Sequence, residues 1–209
     1  MAISGVMRPG HVALRVMDLE PAVEHYTQVV GLIETGRDNQ GRVYLKAWDE
    51  HDLFSLVLVE ADAPGLDHYA FKVLDTATME DYAKRIADWG LTVERIPAGE
   101  LQGTGERIRV VIPTGHNIDL YAEKEQIGNG LPLVNPDVSP DDLRGMHPTR
   151  MDHCLLWGQD VDGSKRFFVE ALDFQLTEQV VTEQGDDGMM IGAFLSCSNK
   201  PHDIPFIKA

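Results

Sequence analysis

The sequence predicts an α+β fold in which one βαβββ unit occurs repeatedly. The segment that begins at His11 matches the segment that begins at His153 in polarity, turn residues and helix caps, at an offset of 142 residues. A second match pairs His51 with His202 at an offset of 151, which predicts a longer hairpin around residues 185–188. Matching features at a nearly constant offset indicate copies of one supersecondary unit.

The first unit is expected to begin with a strand near residues 10–17. A helix follows, with Asp18 as its N-cap and Gly31 at its end. Apolar residues at helical spacing are expected to bury one stripe of this helix: Leu19, Ala22, Val23, Tyr26, Val29 and Val30. The remaining strands are expected near residues 32–36, 42–48 and 54–60.

The second unit is expected to begin with a strand at residues 68–73. Its helix follows Asp75 and is expected to bury Met79, Tyr82, Ala83 and Ile86. Its later strands are expected near residues 91–96, 106–112 and 117–122. We therefore predict three parts: an N-terminal module of residues 1–125, a linker of residues 126–149 rich in Pro, Gly and Asp, and an incomplete module of residues 150–209.

Composition argues against several classes of function. The net charge of −16 is unsuited to binding nucleic acid, which requires a basic surface. The sequence has no run of about 18 apolar residues that could span a membrane, and its N-terminus lacks the pattern of a secretory signal. Cys154 and Cys197 lie in apolar strands without metal-ligand spacing, so we expect reduced thiols and a cytoplasmic protein.

One histidine lies near the start of a short apolar run at residues 151–158. In a strand, side chains alternate between two faces, so His153 is expected to share a face with Leu155 and Trp157. An imidazole held on a sheet can bind a metal ion. Taken alone, however, a single histidine in a strand is more often a hydrogen-bonded core residue.

Five short segments and the βαβββ pattern resemble the vicinal-oxygen-chelate superfamily, and within it the extradiol ring-cleaving dioxygenases. The segments are residues 6–11, 41–48, 97–101, 194–196 and 201–203. That family has four βαβββ units, so the resemblance implies that this sequence stops before the fourth. We therefore expect an uncovered sheet face and an open edge on a last strand near residues 203–208. Such a chain would pair with a second copy or be part of a longer polypeptide.

The resemblance implies a non-haem Fe(II) held by two histidines and one glutamate. It implies that His153 is the first metal ligand and that the other histidine and the glutamate lie beyond residue 209. It implies that His202 is the catalytic acid and base, and that Phe194 lines the substrate pocket. From the residues alone, the segment 201–203 would be a hairpin turn with a solvated imidazole.

The activity implied by the resemblance is extradiol cleavage of catechol by O₂ to 2-hydroxymuconate semialdehyde, in the degradation of aromatic compounds. The resemblance further implies a homo-oligomer, specifically a homotetramer. Because one of three metal ligands lies within the sequence, we expect little ring cleavage from the 209-residue chain alone.

Two alternative functions stay open at this point. The first is a metal-poor binding module of the same superfamily that sequesters a small aromatic ligand. The second is a lyase or isomerase that uses His11, His68 and Asp119. These residues come from three separated strands, and two histidines with one carboxylate could form a facial metal-binding triad.

Overall fold

The computed structural model describes residues 5–183 and 188–209, so most of the hairpin predicted around residues 185–188 lies outside the described residues. The first βαβββ unit comprises β1 (Val6–Val16), α1 (Leu19–Glu24), a π-helical continuation (His25–Val30), β2 (Ile33–Arg37), β3 (Val43–Lys46) and β4 (Leu56–Glu60). The second comprises β5 (Gly65–Val73), α2 (Thr76–Trp89), β6 (Val93–Ile96), β7 (Arg107–Val111) and β8 (Asn117–Tyr121). The third comprises β9 (Leu156–Gly158), α3 (Val161–Leu172), β10 (Gln175–Val181), β11 (Met190–Ser196) and β12 (Ile204–Lys208). The α+β class and the βαβββ pattern are confirmed.

The first helix differs from its prediction. Asp18 occupies the N-cap position, but its side chain makes no capping hydrogen bond. The helix changes to π-helical geometry, in which the Gly31 amide donates to the carbonyl of Tyr26. Because an i→i+5 turn shifts the phase of the side chains that follow, Val29 is 53% exposed rather than buried. In α2, by contrast, Asp75 accepts a hydrogen bond from Thr78, and the four predicted residues are buried.

The first two units share one eight-stranded sheet with the order β2-β3-β4-β1-β5-β8-β7-β6. At its centre β1 and β5 are antiparallel, with His11 opposite Ala70 and Ala13 opposite His68. β5 is parallel to β8, in which Asp119 lies opposite Ala70. This register brings the side chains of His11, His68 and Asp119 to one face of the sheet.

The third unit forms a separate four-stranded sheet with the order β10-β11-β12-β9. The prediction that its last strand has an open edge is wrong, because β12 lies between β11 and β9. Strand β9 begins only at Leu156, so His153 precedes the strand instead of lying in it. The reason is that β1 has neighbours on both sides, whereas β9 pairs with a single strand among the described residues.

The second and third units are joined by a common apolar core. Phe71 of β5 contacts Phe168 and Phe174, with ring centroids 6.2 and 5.4 Å apart. Across the α2–α3 contact, Arg85 donates two hydrogen bonds of 2.6 Å to the carboxylate of Asp173. The apolar core therefore contains residues from both sides of the predicted linker, residues 126–149. Within residues 5–183 and 188–209, no helix has the length and apolar character needed to cross a membrane.

Replacing Phe168 by Ala tests this shared core. Phe168 is fully buried and its ring also contacts Phe206, at 5.5 Å. We expect a loss of about 3–5 kcal/mol in the free energy of unfolding, measured by urea denaturation with circular dichroism. The wild type should unfold in one transition. Val169→Ala, at the adjacent and 39% exposed residue, is the matched control; two separate wild-type transitions would contradict the prediction.

Candidate active site

The structure brings together the three predicted site residues of the third unit. The rings of His153 and His202 are nearly perpendicular, with an interplanar angle of 81° and centroids 4.5 Å apart. The Phe194 ring lies 5.2 Å from that of His202. His153 precedes β9, Phe194 is on β11, and His202 is in the loop before β12. The residues predicted to bind a metal, to move a proton and to line a pocket are thus neighbours.

His153 is oriented by the residue before it. Its Nδ1 is 2.8 Å from Oδ2 of Asp152, so Nδ1 donates the hydrogen bond and the lone pair of Nε2 points away from Asp152. This hydrogen bond, followed by that from Lys200, lowers the pKa of Asp152. Histidines that bind metal ions usually donate their other ring nitrogen to a carboxylate in this way. His153 therefore suits the role of a metal ligand through Nε2.

Asp203 holds the loop that carries His202. Its buried carboxylate accepts hydrogen bonds from the backbone amides of Cys197 and Ser198, at 2.9 and 3.1 Å, and from the Ser196 hydroxyl at 3.1 Å. Burial by itself raises the pKa of Asp203, but the ion pair with Lys200 and these hydrogen bonds outweigh it and lower the pKa. The segment 201–203 is thus part of the loop between β11 and β12, and its Asp203 ties that loop to residues 196–198.

The site lies on the solvent side of the four-stranded sheet. Leu155 and Trp157 are 40% and 64% exposed, whereas Leu156 is buried in the core. The side chain of His153 is 39% exposed. The exposure of Leu155 and Trp157 on either side of buried Leu156 agrees with the predicted alternation. His153 precedes β9, so its position on the same face stays a prediction.

The described residues hold no complete metal site. Within residues 5–183 and 188–209, no group of three or more His, Cys, Asp or Glu side chains is arranged, as the side chains stand, to hold a metal ion. His153 fits one ligand position, with a free Nε2 lone pair and a carboxylate on Nδ1. Cys154 and Cys197 are half-buried and form no disulfide, and burial raises the pKa of the Cys154 thiol to about 11.

The alternative triad also converges, in the interior of the first two units. Nε2 of His11 is 3.0 Å from Nε2 of His68, which is 3.7 Å from Oδ2 of Asp119. All three side chains are buried. However, Arg107 donates to Asp119 at 2.5 Å and contacts His68 at 3.3 Å. This cation opposes metal binding, so the geometry does not favour a lyase or isomerase that uses these residues.

Arg107 and Lys124 belong to this interior cluster, and sequence reasoning missed both. Burial, followed by the charge of Lys124, lowers the pKa of His11 well below its ordinary value, so His11 is neutral. Burial lowers the pKa of Lys124 as well. The spacing of the arginines could have indicated their position. Arg107 and Arg109 are two residues apart and so share one face of β7, and Arg109 lies opposite Asp119 of β8.

Two family models match separate parts of the chain. Residues 66–125 match the model of the catechol 2,3-dioxygenase-like N-terminal domain. Residues 150–208 match the glyoxalase/bleomycin resistance protein/dioxygenase superfamily. The two matched segments coincide with the second and third βαβββ units.

A crystal structure of the 2,3-dioxygenase LapB from Pseudomonas sp. KL28 is similar throughout. It is 47% identical, with a TM-score of 0.94, over 100% of this chain and 72% of that chain. The chain belongs to the extradiol dioxygenase family. Metapyrocatechase of Pseudomonas sp. (strain CF600) is 50% identical to this extradiol family member over 97% of the chain. The chain spans 66% of the length of that relative.

More distant relatives show the breadth of the extradiol family. A manganese-dependent 2,3-dihydroxybiphenyl 1,2-dioxygenase of Geobacillus genomosp. 3 is 27% identical, over 93% of this chain and 61% of its own length. Homoprotocatechuate 2,3-dioxygenase from Brevibacterium fuscum shares the fold, with a TM-score of 0.80 at 22% identity over 99% of this chain and 61% of that chain. Members of the family thus differ in the metal and the diol that their names record.

Proposed function

We propose that this chain serves the extradiol cleavage of catechol by O₂ at a non-haem Fe(II), which gives 2-hydroxymuconate semialdehyde in aromatic-compound degradation. The observation that carries the proposal is the meeting of the rings of His153, His202 and Phe194 beside the four-stranded sheet. The 50% identity to a metapyrocatechase supports catechol as the substrate.

His153 is proposed to hold the metal through Nε2, while Asp152 keeps the proton on Nδ1. The further histidine and glutamate ligands are proposed to lie outside this sequence, beyond residue 209. When bound, the iron would supply adjacent binding positions for catechol and O₂ and the electron transfer between them. One relative is named manganese-dependent, so Fe(II) rather than Mn(II) is a specific part of the proposal.

His202 is proposed to move the proton. Histidine accepts and returns protons near neutral pH, so His202 can take a proton from a catechol hydroxyl and give it back when the oxygen–oxygen bond breaks. Its ring is fixed between those of His153 and Phe194. The Asp203 hydrogen bonds hold the loop and so position the imidazole that would face the substrate.

Phe194 is proposed to line the catechol pocket, where its ring packs on the aromatic substrate. We propose that residues 1–125 are the N-terminal module, residues 126–149 a linker, and residues 150–209 the first unit of the catalytic module. The partners are a small aromatic diol and O₂, in a cytoplasmic homo-oligomer, proposed to be a homotetramer. The net charge of −16 supports the absence of a nucleic-acid partner.

A fusion protein tests this function. It consists of this chain followed, after Ala209, by the fourth βαβββ unit of a related metapyrocatechase. With Fe(II), catechol and air, we expect yellow semialdehyde from the fusion protein and little or none from the 209-residue chain, whose described residues offer one fitted ligand. Mn(II) in place of Fe(II) should give less product. A folded, iron-loaded fusion protein without product, or equal turnover by the chain alone, would contradict the proposal.

A further inference from the structure

Three potential metal-binding atoms meet inside the eight-stranded sheet, away from the proposed active site. They are Nε2 of His11, Nε2 of His68 and Oδ2 of Asp119, with separations of 3.0 Å between the histidines and 3.7 Å from His68 to Asp119. Ligand atoms bound to one metal at about 2.0–2.2 Å lie roughly 3 Å apart when they are adjacent. Both separations from Nε2 of His68 are therefore close to those between ligands of one divalent cation.

The orientation of His68 also suits a metal ligand. Its Nδ1 is 2.7 Å from Oδ2 of Asp67, so Nδ1 carries the proton and Nε2 directs its lone pair towards the cluster. Asp67 thus has the relation to His68 that Asp152 has to His153. On the other side, Arg109 donates two hydrogen bonds to Asp119, at 2.7 and 3.1 Å, and fixes that carboxylate.

Arg107 occupies the space that a cation would take. Its Nη1 donates to Oδ2 of Asp119 at 2.5 Å and contacts Nε2 of His68 at 3.3 Å, and its Nη2 donates to Glu100. One guanidinium nitrogen therefore contacts two of the three potential ligand atoms. Its Nε is buried with no hydrogen-bond partner among the described residues. The guanidinium thus supplies the positive charge at this position, although its Nε–H makes no hydrogen bond there.

Lys124 opposes metal binding in a second way, through the tautomer of His11. Because Nε2 of His68 is an acceptor, Nε2 of His11 must donate the hydrogen bond between them. Nδ1 of His11 then accepts from Nζ of Lys124 at 3.0 Å. Metal binding through Nε2 of His11 requires the opposite tautomer, with the proton on Nδ1. As the donor in this hydrogen bond, Lys124 holds His11 in the tautomer that does not bind a metal through Nε2.

We propose that His11, His68 and Asp119 form a latent divalent-cation site that Arg107 and Lys124 keep closed. Two imidazoles and one carboxylate suit Zn(II) or Co(II). A cavity of about 450 Å³ is lined by His68 and Arg107, so it reaches one side of the cluster. The site is separate from the active site proposed above, and the inference does not depend on that function.

The test uses the full 209-residue chain with His153→Ala in every protein, so that His153 cannot bind the probe. In this background Arg107→Ala removes the guanidinium, and Lys124→Gln supplies a side-chain oxygen that accepts from Nδ1 of His11. Co(II) alone is titrated and followed by its visible absorption. We expect one equivalent to bind to the Arg107→Ala/Lys124→Gln protein and none to the protein with both residues intact.

Further variants separate a built site from general loss of positive charge. Arg42→Ala/Lys72→Gln is the matched control, because Arg42 also contacts Glu100 but neither residue contacts the three ligand atoms. It should bind no Co(II). Adding His68→Ala to the open variant should abolish binding, and adding Asp67→Asn should weaken it by about 10- to 100-fold.

Folding is followed by circular dichroism in the same titrations. If the open variant is unfolded without metal, Zn(II) or Co(II) should restore its fold, and His68→Ala should prevent the recovery. The inference would be overturned by an open variant that folds but binds no Co(II), by one that no cation refolds, or by binding that survives His68→Ala. His68-dependent binding to the protein with Arg107 and Lys124 intact would also overturn it, because the site would then be open.

Discussion

A fusion protein in which His153 is replaced by Ala is expected to lose both its metal and its ring-cleavage activity. His153 is the side chain with a fitted metal-ligand geometry in the third unit, and Asp152 and Lys200 are arranged to orient it. Removing it leaves an incomplete ligand set, so the metal dissociates and catechol loses its attachment point. The measurements are elemental analysis of the purified protein and the appearance of yellow semialdehyde.

The His202→Ala fusion protein provides the contrast. It should keep its metal, because His202 is proposed to move a proton and not to bind the metal, and its kcat should fall by about 10²- to 10⁴-fold. His25→Ala, at an exposed residue of the first helical segment, is the control and should change neither quantity. A His153→Ala protein that retains metal and turnover would refute the assignment. Loss of metal in the His202→Ala protein would show that the two roles had been exchanged.

Replacing Asp119 by Ala is expected to cause a large loss of stability. Asp119 is fully buried and accepts hydrogen bonds from both Arg107 and Arg109. Without it, two guanidinium groups lose their shared anion in the interior. Breaking a buried ion pair from one side costs about 3–5 kcal/mol, which should appear as a lower urea midpoint in circular dichroism.

Two controls make the Asp119 result interpretable. Glu80→Ala removes a carboxylate that accepts two hydrogen bonds from Arg95, but the pair is on the surface, so the urea midpoint should stay near that of the wild type. Asp119→Ala combined with Arg107→Met should recover part of the loss, because it removes one uncompensated buried cation. An Asp119→Ala protein as stable as the Glu80→Ala protein would show that the interior cluster contributes little.

Periodicity in the sequence determined the fold class and most of the elements. A constant offset between His11 and His153 identifies the repeated unit whatever the environment, because a repeat requires only that local patterns recur. The buried face of α2 is also correct, because Asp75 caps it and a regular helix keeps its phase. Where the geometry changed to a π-helix, the same reasoning placed Val29 on the wrong face. The roles of His153, His202 and Phe194 came from resemblance and stay predictions.

Only the tertiary structure decided which strands became neighbours. The last strand was expected at an edge, yet β12 lies inside its sheet, because strand order depends on pairing between distant segments. The common core around Phe71 and Phe168 likewise comes from packing between units that the sequence pattern treats separately. The sequence placed His11, His68 and Asp119 on three strands. The tertiary structure decided that Arg107 contacts these residues, because the packing of β7 against β8 directs its side chain towards Asp119. The local sequence pattern does not determine this contact.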